Sequence, residues 1–239
     1  MSSLPKQVHL IQLAGGKGLR VGGDTPKQFR STGSGPLFAI SLGEFLNLSP
    51  DAGQVASITV TASEQWDEVV NRALKQLSPG GHSTRRADPG STRTESTWHA
   101  LQLIHDEVKP GPDDLVAVHD AARPFATALL LEQLITAAAD AGAAVPGIAV
   151  ADTIVQTSAG QSGAIYLERE ALVAVQTPQV FRWDLLFNAH QWAAQNKKSF
   201  TDDGGLVAHR GTNPVVVPGE ENNWKVTTDG DWLRAADLL

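Results

Sequence analysis

Cysteine does not occur anywhere in the 239 residues, and no apolar run approaches the length of a membrane span. Without cysteine there is no disulfide, no thiolate metal ligand and no thiol nucleophile, and the chain is compatible with a reducing compartment. Zinc would have to rest on histidine, yet the seven histidines include no pair at the HxxxH spacing that sets two rings on one helix face. A bilayer span needs about 20 consecutive apolar residues, and the opening MSSLPKQ lacks the apolar segment of a secretory signal. The expected location is the cytoplasm, with no membrane contact. No GxSxG elbow is present, so covalent acyl transfer has no support. Basic residues are also in deficit: 26 Asp and Glu against 19 Lys and Arg leave a formal charge of −7, so a sequence-independent grip on nucleic acid is not expected.

What is there is a globular composition. With 41% hydrophobic and 19% charged residues the chain can bury a sizeable core, and one domain spanning 1–239 is expected. Val8 to Ala14, Val55 to Ala62 and Asp114 to Asp120 are rich in aliphatic and β-branched residues and read as buried strands. Each is followed by a helical pattern. Trp66, Val69, Val70, Ala73, Leu74 and Leu77 recur at steps of three and four, and similar stripes run over 96–108, 127–141 and 183–194. Strands alternating with helices imply βαβ crossovers, a mostly parallel sheet and ligand sites at the carboxyl ends of the strands. Residues 150–175 break this pattern into short alternating pieces around a Gly/Ser turn, which predicts a hairpin projecting from the sheet as a dimerisation arm. Near the end, Thr228 followed by Asp231 predicts a capped final helix.

Two stretches at strand ends carry the chemistry. LAGGKGLRVGGDTPKQF, residues 13–29, holds five glycines beside Lys17, Arg20 and Lys27. Gly15, Gly16 and Gly18 let backbone N–H groups approach a ligand, and a forked and a compact cation on the same loop suit a polyphosphate. The loop is neither a dinucleotide fingerprint, since Val21 stands where GxGxxG needs its last glycine, nor a Walker loop. VHDAARPF, residues 118–125, then offers Asp120 as an acceptor or as an outer partner of a hydrated Mg²⁺, and Arg123 as a second anion contact, while His119 reads as structural. Asp202, Asp203 and Lys225, in TDDGG and NNWKVTT, read by themselves as surface charges.

GGKGLR, PKQF, HDAARPF, DTI, TPQVF, TDDGGLV and NNWKVTT, in that order between Leu10 and Ala236, resemble the 2-C-methyl-D-erythritol 4-phosphate cytidylyltransferase family. The resemblance implies a Rossmann-like nucleotidyltransferase fold, a mostly parallel twisted sheet flanked by helices with a β-hairpin arm, and a homodimer joined through that arm. It implies transfer of a cytidylyl group from CTP to 2-C-methyl-D-erythritol 4-phosphate, giving CDP-methylerythritol and pyrophosphate, a step of isoprenoid precursor synthesis. Mg²⁺ is the implied cofactor, carried by the CTP phosphates with no direct protein ligand and reached through water from Asp120. Arg20, Lys27 and Lys225 are implied as catalytic. CTP contacts are implied at Ala14, Gly15, Gly16, Lys17, Gly18, Gly90, Ser91, Ser96, Asp120 and Ala121. Asp120, Arg123, Thr153 and Lys225 would surround the acceptor phosphate, and Arg169 would reach the neighbouring subunit's site. LAGG stands where many members have PAAG, and Ser91 stands where an acidic residue is often found near the ribose. LAGG and KVTT also occur in the sister family acting on ribitol 5-phosphate. The alternatives are therefore a cytidylyltransferase for ribitol 5-phosphate or another polyol phosphate, and, in a different class, a non-catalytic nucleotide-binding protein on the same fold.

Overall fold

Along the strands, alternate residues enter two different cores. In the segment Leu115–Asp120, Leu115 and Ala117 pack on one side and Val116 and Val118 on the other, and Val180 and Phe181 divide in the same way. Both faces of the sheet are therefore covered, as a period of two residues requires of strands with no wet side.

The computed structural model describes residues 6–16, 25–77, 82–157 and 163–239. Its strands are β1 (Gln7–Leu13), β2 (Ser31–Thr32), β3 (Gly35–Pro36), β4 (Gln54–Thr61), β5 (Ser83–Ala87), β6 (Leu115–Asp120), β7 (Ala143–Ala149), β8 (Val155–Thr157), β9 (Ala164–Tyr166), β10 (Val173–Val175), β11 (Gln179–Arg182) and β12 (Val215–Pro218). Its helices are α1 (Leu37–Phe45), α2 (Asp67–Leu77), α3 (Arg93–Glu107), α4 (Ala128–Ala141), α5 (Trp183–Gln195), α6 (Asp203–His209) and α7 (Asp229–Leu238). Eight strands form one sheet, in the order β5, β4, β1, β6, β11, β7, β12, with β10 extending the line of β11 along the same edge of β7. β5, β4, β1 and β6 are parallel, as is β12 to β7, and only β10 and β11 run against their neighbours. The fold class is the one expected: a mostly parallel sheet with helices on both faces.

Helices α1, α2 and α4 supply Phe38, Leu42, Val70, Leu74, Leu131 and Leu134 to the first core. Helices α3, α5 and α6 supply Leu101, Ile104, Leu186 and Leu206 to the second. The stripe read at 66–77 lies on the sheet, except that Trp66 sits in a 3₁₀ turn ahead of α2, its ring stacked on Phe29 at 4.5 Å. α4 ends at Gly142, whose φ of +86° is the left-handed conformation that glycine tolerates best. β7 escapes the sequence patterns because Pro146 and Gly147 interrupt it and demote it as a strand.

The hairpin falls where 150–175 was read, but it is shorter: β8 and β9 pair antiparallel, while β10 returns to the main sheet against Gly147 to Ala149. Thr228 caps α7 as expected. Its hydroxyl accepts from the Asp231 N–H at 3.2 Å, and the Asp231 carboxylate accepts from the Thr228 N–H at 2.8 Å. Hydrogen bonds from the Thr227 hydroxyl and N–H, joined by that of Thr228, hold the Asp231 carboxyl down to about 2. Thr228→Ala is expected to lower the unfolding free energy by about 1 kcal/mol in urea titrations; an unchanged midpoint would show that the cap is energetically idle. Among the described residues no helix is long and apolar enough to cross a membrane.

Candidate functional site

The carboxyl ends of β1, β4 and β6 finish level with one another. Leu13 lies beside Asp120 and Thr61, and the Ala121 and Ala14 N–H groups donate to Leu13 and Thr61 carbonyls. The chain leaves β1 through Ala14, Gly15 and Gly16. A side chain at Gly15 would place its Cβ 2.3 Å from the Cβ of Pro89, so only glycine lets this turn lie against the Pro89–Ser91 loop. That contact brings together Ala14 to Gly16 and Gly90 to Ser96. The Gly90 N–H donates to Ser96 Oγ at 3.0 Å, and the Ser91 N–H and Oγ donate to Glu95 Oε2 at 2.7 and 2.5 Å.

Gln28 ties the next segment to the same turn. Its Nε2 donates to the carbonyls of Ala14 at 2.8 Å and Gly16 at 2.5 Å. Beside it, Lys27 is 9% exposed and its Nζ donates to the Val226 carbonyl. The Val226 N–H donates in turn to the Ala122 carbonyl at 2.8 Å. PKQF, HDAARPF and NNWKVTT, far apart in sequence, therefore meet at one edge of the sheet. Lys17, Gly18 and Arg20 lie outside the described residues.

A cavity of about 250 Å³ opens there, with Arg93, Asp120, Arg123, Thr177, Asp202 and Lys225 on its walls. Asp120 is its electrostatic centre: Oδ2 accepts from Lys225 Nζ at 2.6 Å and Oδ1 from Arg93 Nε at 3.4 Å. Burial alone would raise the Asp120 carboxyl, but the Arg93 guanidinium and then the Lys225 ammonium outweigh it and hold the group far below the usual carboxylate range. Arg93 also donates from Nη1 to Asp203 Oδ2 at 2.7 Å. Burial disfavours the Arg93 charge, yet Asp203 and Asp120 push its pKa above the ordinary value, so it stays a cation. Burial likewise works against the Asp203 anion, and Arg93 and His190 reverse that and lower its pKa. Arg123 donates from Nη1 to the Asn223 carbonyl at 2.7 Å.

Buried amides hold the segment that carries Lys225. Asn223 Nδ2 donates to the Thr177 carbonyl at 2.9 Å, and Gln176 Nε2 donates to the carbonyls of Glu220 at 2.8 Å and Asn223 at 3.3 Å. His119 is structural, as read. Its Nε2 donates to the Arg123 carbonyl at 2.9 Å and its Nδ1 accepts from Thr177 Oγ1 at 3.0 Å, while that oxygen accepts the Asp120 N–H at 3.0 Å. Burial pushes the His119 imidazole down to about 4, which keeps it neutral near pH 7.

Of the residues singled out in the sequence, Asp120, Arg123 and Lys225 line this cavity; Ala14, Gly15, Gly16, Gly90, Ser91, Ser96, Lys27 and Ala121 are not among its walls and are held at the same sheet edge by the contacts above. Thr153 and Arg169 do not line it. Both are exposed at the base of the arm, where Arg169 donates from Nη1 to the Ala151 carbonyl at 3.1 Å and from Nη2 to Glu170 Oε1 at 3.3 Å. The surface reading of Asp202 and Asp203 is corrected: Asp202 caps α6 by accepting the Gly205 N–H at 2.9 Å, and Asp203 is 1% exposed and paired with Arg93. Arg93, Gln28 and Asn223 were missed, since a lone arginine and two amides carry no period or spacing that marks them. Among the described residues no three His, Asp or Glu side chains gather as metal ligands. A recess in which the cations Arg93, Arg123 and Lys225 stand beside the carboxylates of Asp120 and Asp202 is built to hold anions.

Comparison with known proteins agrees with this geometry. The family model for IspD, 2-C-methyl-D-erythritol 4-phosphate cytidylyltransferase, matches residues 8–239. A 2-C-methyl-D-erythritol 4-phosphate cytidylyltransferase of Salinibacter ruber is 36% identical over 231 residues, covering 96% of this chain and 91% of that one. A bifunctional IspD/IspF enzyme of Rhodopseudomonas palustris is 36% identical over 230 residues; the match covers 96% of this chain but 55% of the relative, so the chain spans about half the length of that two-activity protein. The crystal structure of 2-C-methyl-D-erythritol 4-phosphate cytidylyltransferase from Thermus thermophilus superposes with a TM-score of 0.71 at 29% identity, covering 98% of both chains.

Proposed function

The chain belongs to the IspD family of 2-C-methyl-D-erythritol 4-phosphate cytidylyltransferases, and from that premise we propose that it transfers a cytidylyl group from CTP to 2-C-methyl-D-erythritol 4-phosphate. A phosphate oxygen of the acceptor attacks the α-phosphorus of CTP, the bond to the β-phosphate breaks, and pyrophosphate leaves with the electron pair. The observation that carries the reading is the convergence of Lys225, Asp120, Arg123 and Arg93 on one cavity beside the glycine turn. Ribitol 5-phosphate is the less favoured acceptor, because the family match names methylerythritol phosphate.

The chemistry asks little of acid–base groups. The acceptor phosphate is already an anionic nucleophile at neutral pH, so the work is to align two polyanions and stabilise charge along the line of attack. Their repulsion is roughly 4 kcal/mol for each pair of unit charges about 4 Å apart near a protein surface. Lys225 and Arg123 receive the acceptor phosphate, while Arg20 and Lys27 neutralise the triphosphate. When the acceptor phosphate draws Lys225 from Asp120, Arg93 keeps the Asp120 carboxylate in place. Mg²⁺ fits as a partner of the triphosphate, since it prefers phosphate oxygens and waters to an all-protein cage, and Asp120, a carboxylate on the cavity wall, would reach it through water. Bound there, it would neutralise charge on the leaving pyrophosphate.

The assay is pyrophosphate release from CTP with methylerythritol, ribitol, erythritol and glycerol phosphates, and with UTP and ATP in place of CTP. CTP with methylerythritol phosphate should be the fastest pair, and no release with any polyol phosphate would reject the proposal in favour of a nucleotide-binding protein. The proposal includes a homodimer and a cytoplasmic location, the latter in keeping with a chain free of cysteine. The arm supports the dimer: Ile165 and Tyr166 are 64% and 73% exposed, an apolar surface that a second copy would cover. Mixed dimers of Arg169→Ala and Lys225→Ala subunits should then regain part of the activity each variant lacks alone; no recovery would argue that the arm does not complete its neighbour's site.

A further inference from the structure

His190 is unexpected on its own helix. The inward face of α5 is otherwise apolar, formed by Trp183, Leu186, Ala189 and Ala193, and His190 lies among them with no exposure. Burying an imidazole costs stability unless its nitrogens are matched. Its Nε2 lies 2.9 Å from Asp203 Oδ1, and because a carboxylate oxygen only accepts, Nε2 is the donor. Nδ1 is buried without a partner among the described residues. Packing alone would be served better by leucine.

The imidazole bears on the cavity through two contacts. With Oδ1 engaged by His190, Asp203 meets Arg93 through Oδ2, at 2.7 Å from Nη1. An arginine facing a carboxylate with both oxygens open tends to pair with both, through two nitrogens at once. Here the guanidinium is held by one corner, its Nε turned to Asp120 Oδ1, and its Nη2 is buried without a partner among the described residues. Arg93 is also a wall of the cavity.

We propose that His190 is a positioning residue: by occupying one oxygen of Asp203 it keeps Arg93 paired to Asp203 through Nη1 alone, so that Nε stays on Asp120 and Asp120 holds the Lys225 ammonium at the cavity for the acceptor's phosphate. This rests on the function proposed above, and it assigns to a core histidine a part in recognising the acceptor's phosphate group. The chain of contacts runs from His190 through Asp203 and Arg93 to Asp120 and Lys225. Loss of the imidazole frees Asp203 to take Arg93 through two nitrogens, which turns Nε away from Asp120 and loosens the carboxylate that holds Lys225.

Calorimetric titration with inorganic phosphate reads the cavity independently of turnover, and steady-state kinetics reads it in the reaction. His190→Leu should weaken phosphate binding and raise the acceptor KM by about tenfold, the equivalent of one impaired charge-assisted hydrogen bond, with kcat and the CTP KM near wild type. His190→Gln, whose amide can still donate to Asp203, should restore both. In an Arg93→Gln background His190→Leu should add no further loss. If His190→Leu folds poorly, His190→Met removes the same donor and carries the comparison. Equal phosphate affinity in wild type and His190→Leu, or an equal further loss without Arg93, would overturn the positioning role. A wild type that binds phosphate in a His190-dependent way yet releases no pyrophosphate would overturn the function proposed above and leave the positioning role standing.

Discussion

Exchanging Lys27 for methionine is expected to lower kcat for CTP and methylerythritol phosphate by about 10²–10³-fold, the usual effect of removing one preorganised charge from a developing transition state. Lys27 reaches the site from a 3₁₀ turn, Lys27 to Phe29, that Gln28 anchors to the glycine turn. Its position is therefore set before any ligand arrives, and no reorganisation is needed during the reaction. A loop charge that supports the transition state more than the core could be removed with the melting temperature nearly unaltered. Burial revises that expectation. The ammonium donates to the Val226 carbonyl, and a methionine of similar length leaves that acceptor without this donor, at a cost of about 1–3 kcal/mol. A loss of several degrees in melting temperature should accompany the loss of turnover. Lys27→Met with normal kcat would remove the residue from the catalytic set, whatever its effect on stability.

The second large effect is a fall in stability on acidification that belongs to His119. Its imidazole titrates at about 4 in the folded chain and at about 6.5 when unfolded. Above pH 6.5 neither state binds the proton, and the native state has its full advantage. Between pH 6.5 and 4 the unfolded chain takes up a proton that the buried ring refuses, so the unfolding free energy drops by about 1.4 kcal/mol per pH unit, about 3 kcal/mol in all. Below pH 4 both states are protonated and the contribution is flat. Asp120 acts in a different window. Its folded pKa is depressed, so its contribution is intact above the ordinary carboxylate range and is lost only as pH falls through that range and below it. His9, also pushed down by burial despite the hydrogen bond it donates to Asp114, adds a slope of the same sign as His119. Urea titrations of wild type and His119→Gln between pH 7.5 and 4 separate them: the difference between the two curves should grow toward acid, and parallel curves would dismiss His119 as the source.

Much of the architecture was legible from local patterns. β1, β4 and β6, the stripe on α2, the helix after Thr127 and the cap at Thr228 all follow from near-neighbour rules, because periodicity and capping are properties of a few consecutive residues. β7 was not legible, since Pro146 and Gly147 mark it locally as a break and its strand state is won by pairing with β10, β11 and β12. Lys225 and Asp203 show the same limit at the site. Nothing in NNWKVTT tells that Gln176 and Asn223 will clamp that segment to Thr177 and put an ammonium 2.6 Å from Asp120. Nothing in TDDGG tells that its second aspartate will be buried against an arginine from another helix.

By itself, the amino-acid sequence determined the class of the protein: an acidic, cysteine-free α/β chain whose glycine turn and ordered motifs mark a cytidylyltransferase relative. Glycine content, strand and helix periods and the order of motifs are one-dimensional properties, and they survive without coordinates. Tertiary structure decided which charges face one another, that Lys27 is buried, that Arg93 belongs to the cavity, and that His190 stands behind it. Those outcomes depend on burial and on distances of a few ångströms between residues far apart in the chain, where the strength of a charge–charge contact is set by the dielectric around it; no pattern of neighbours encodes that.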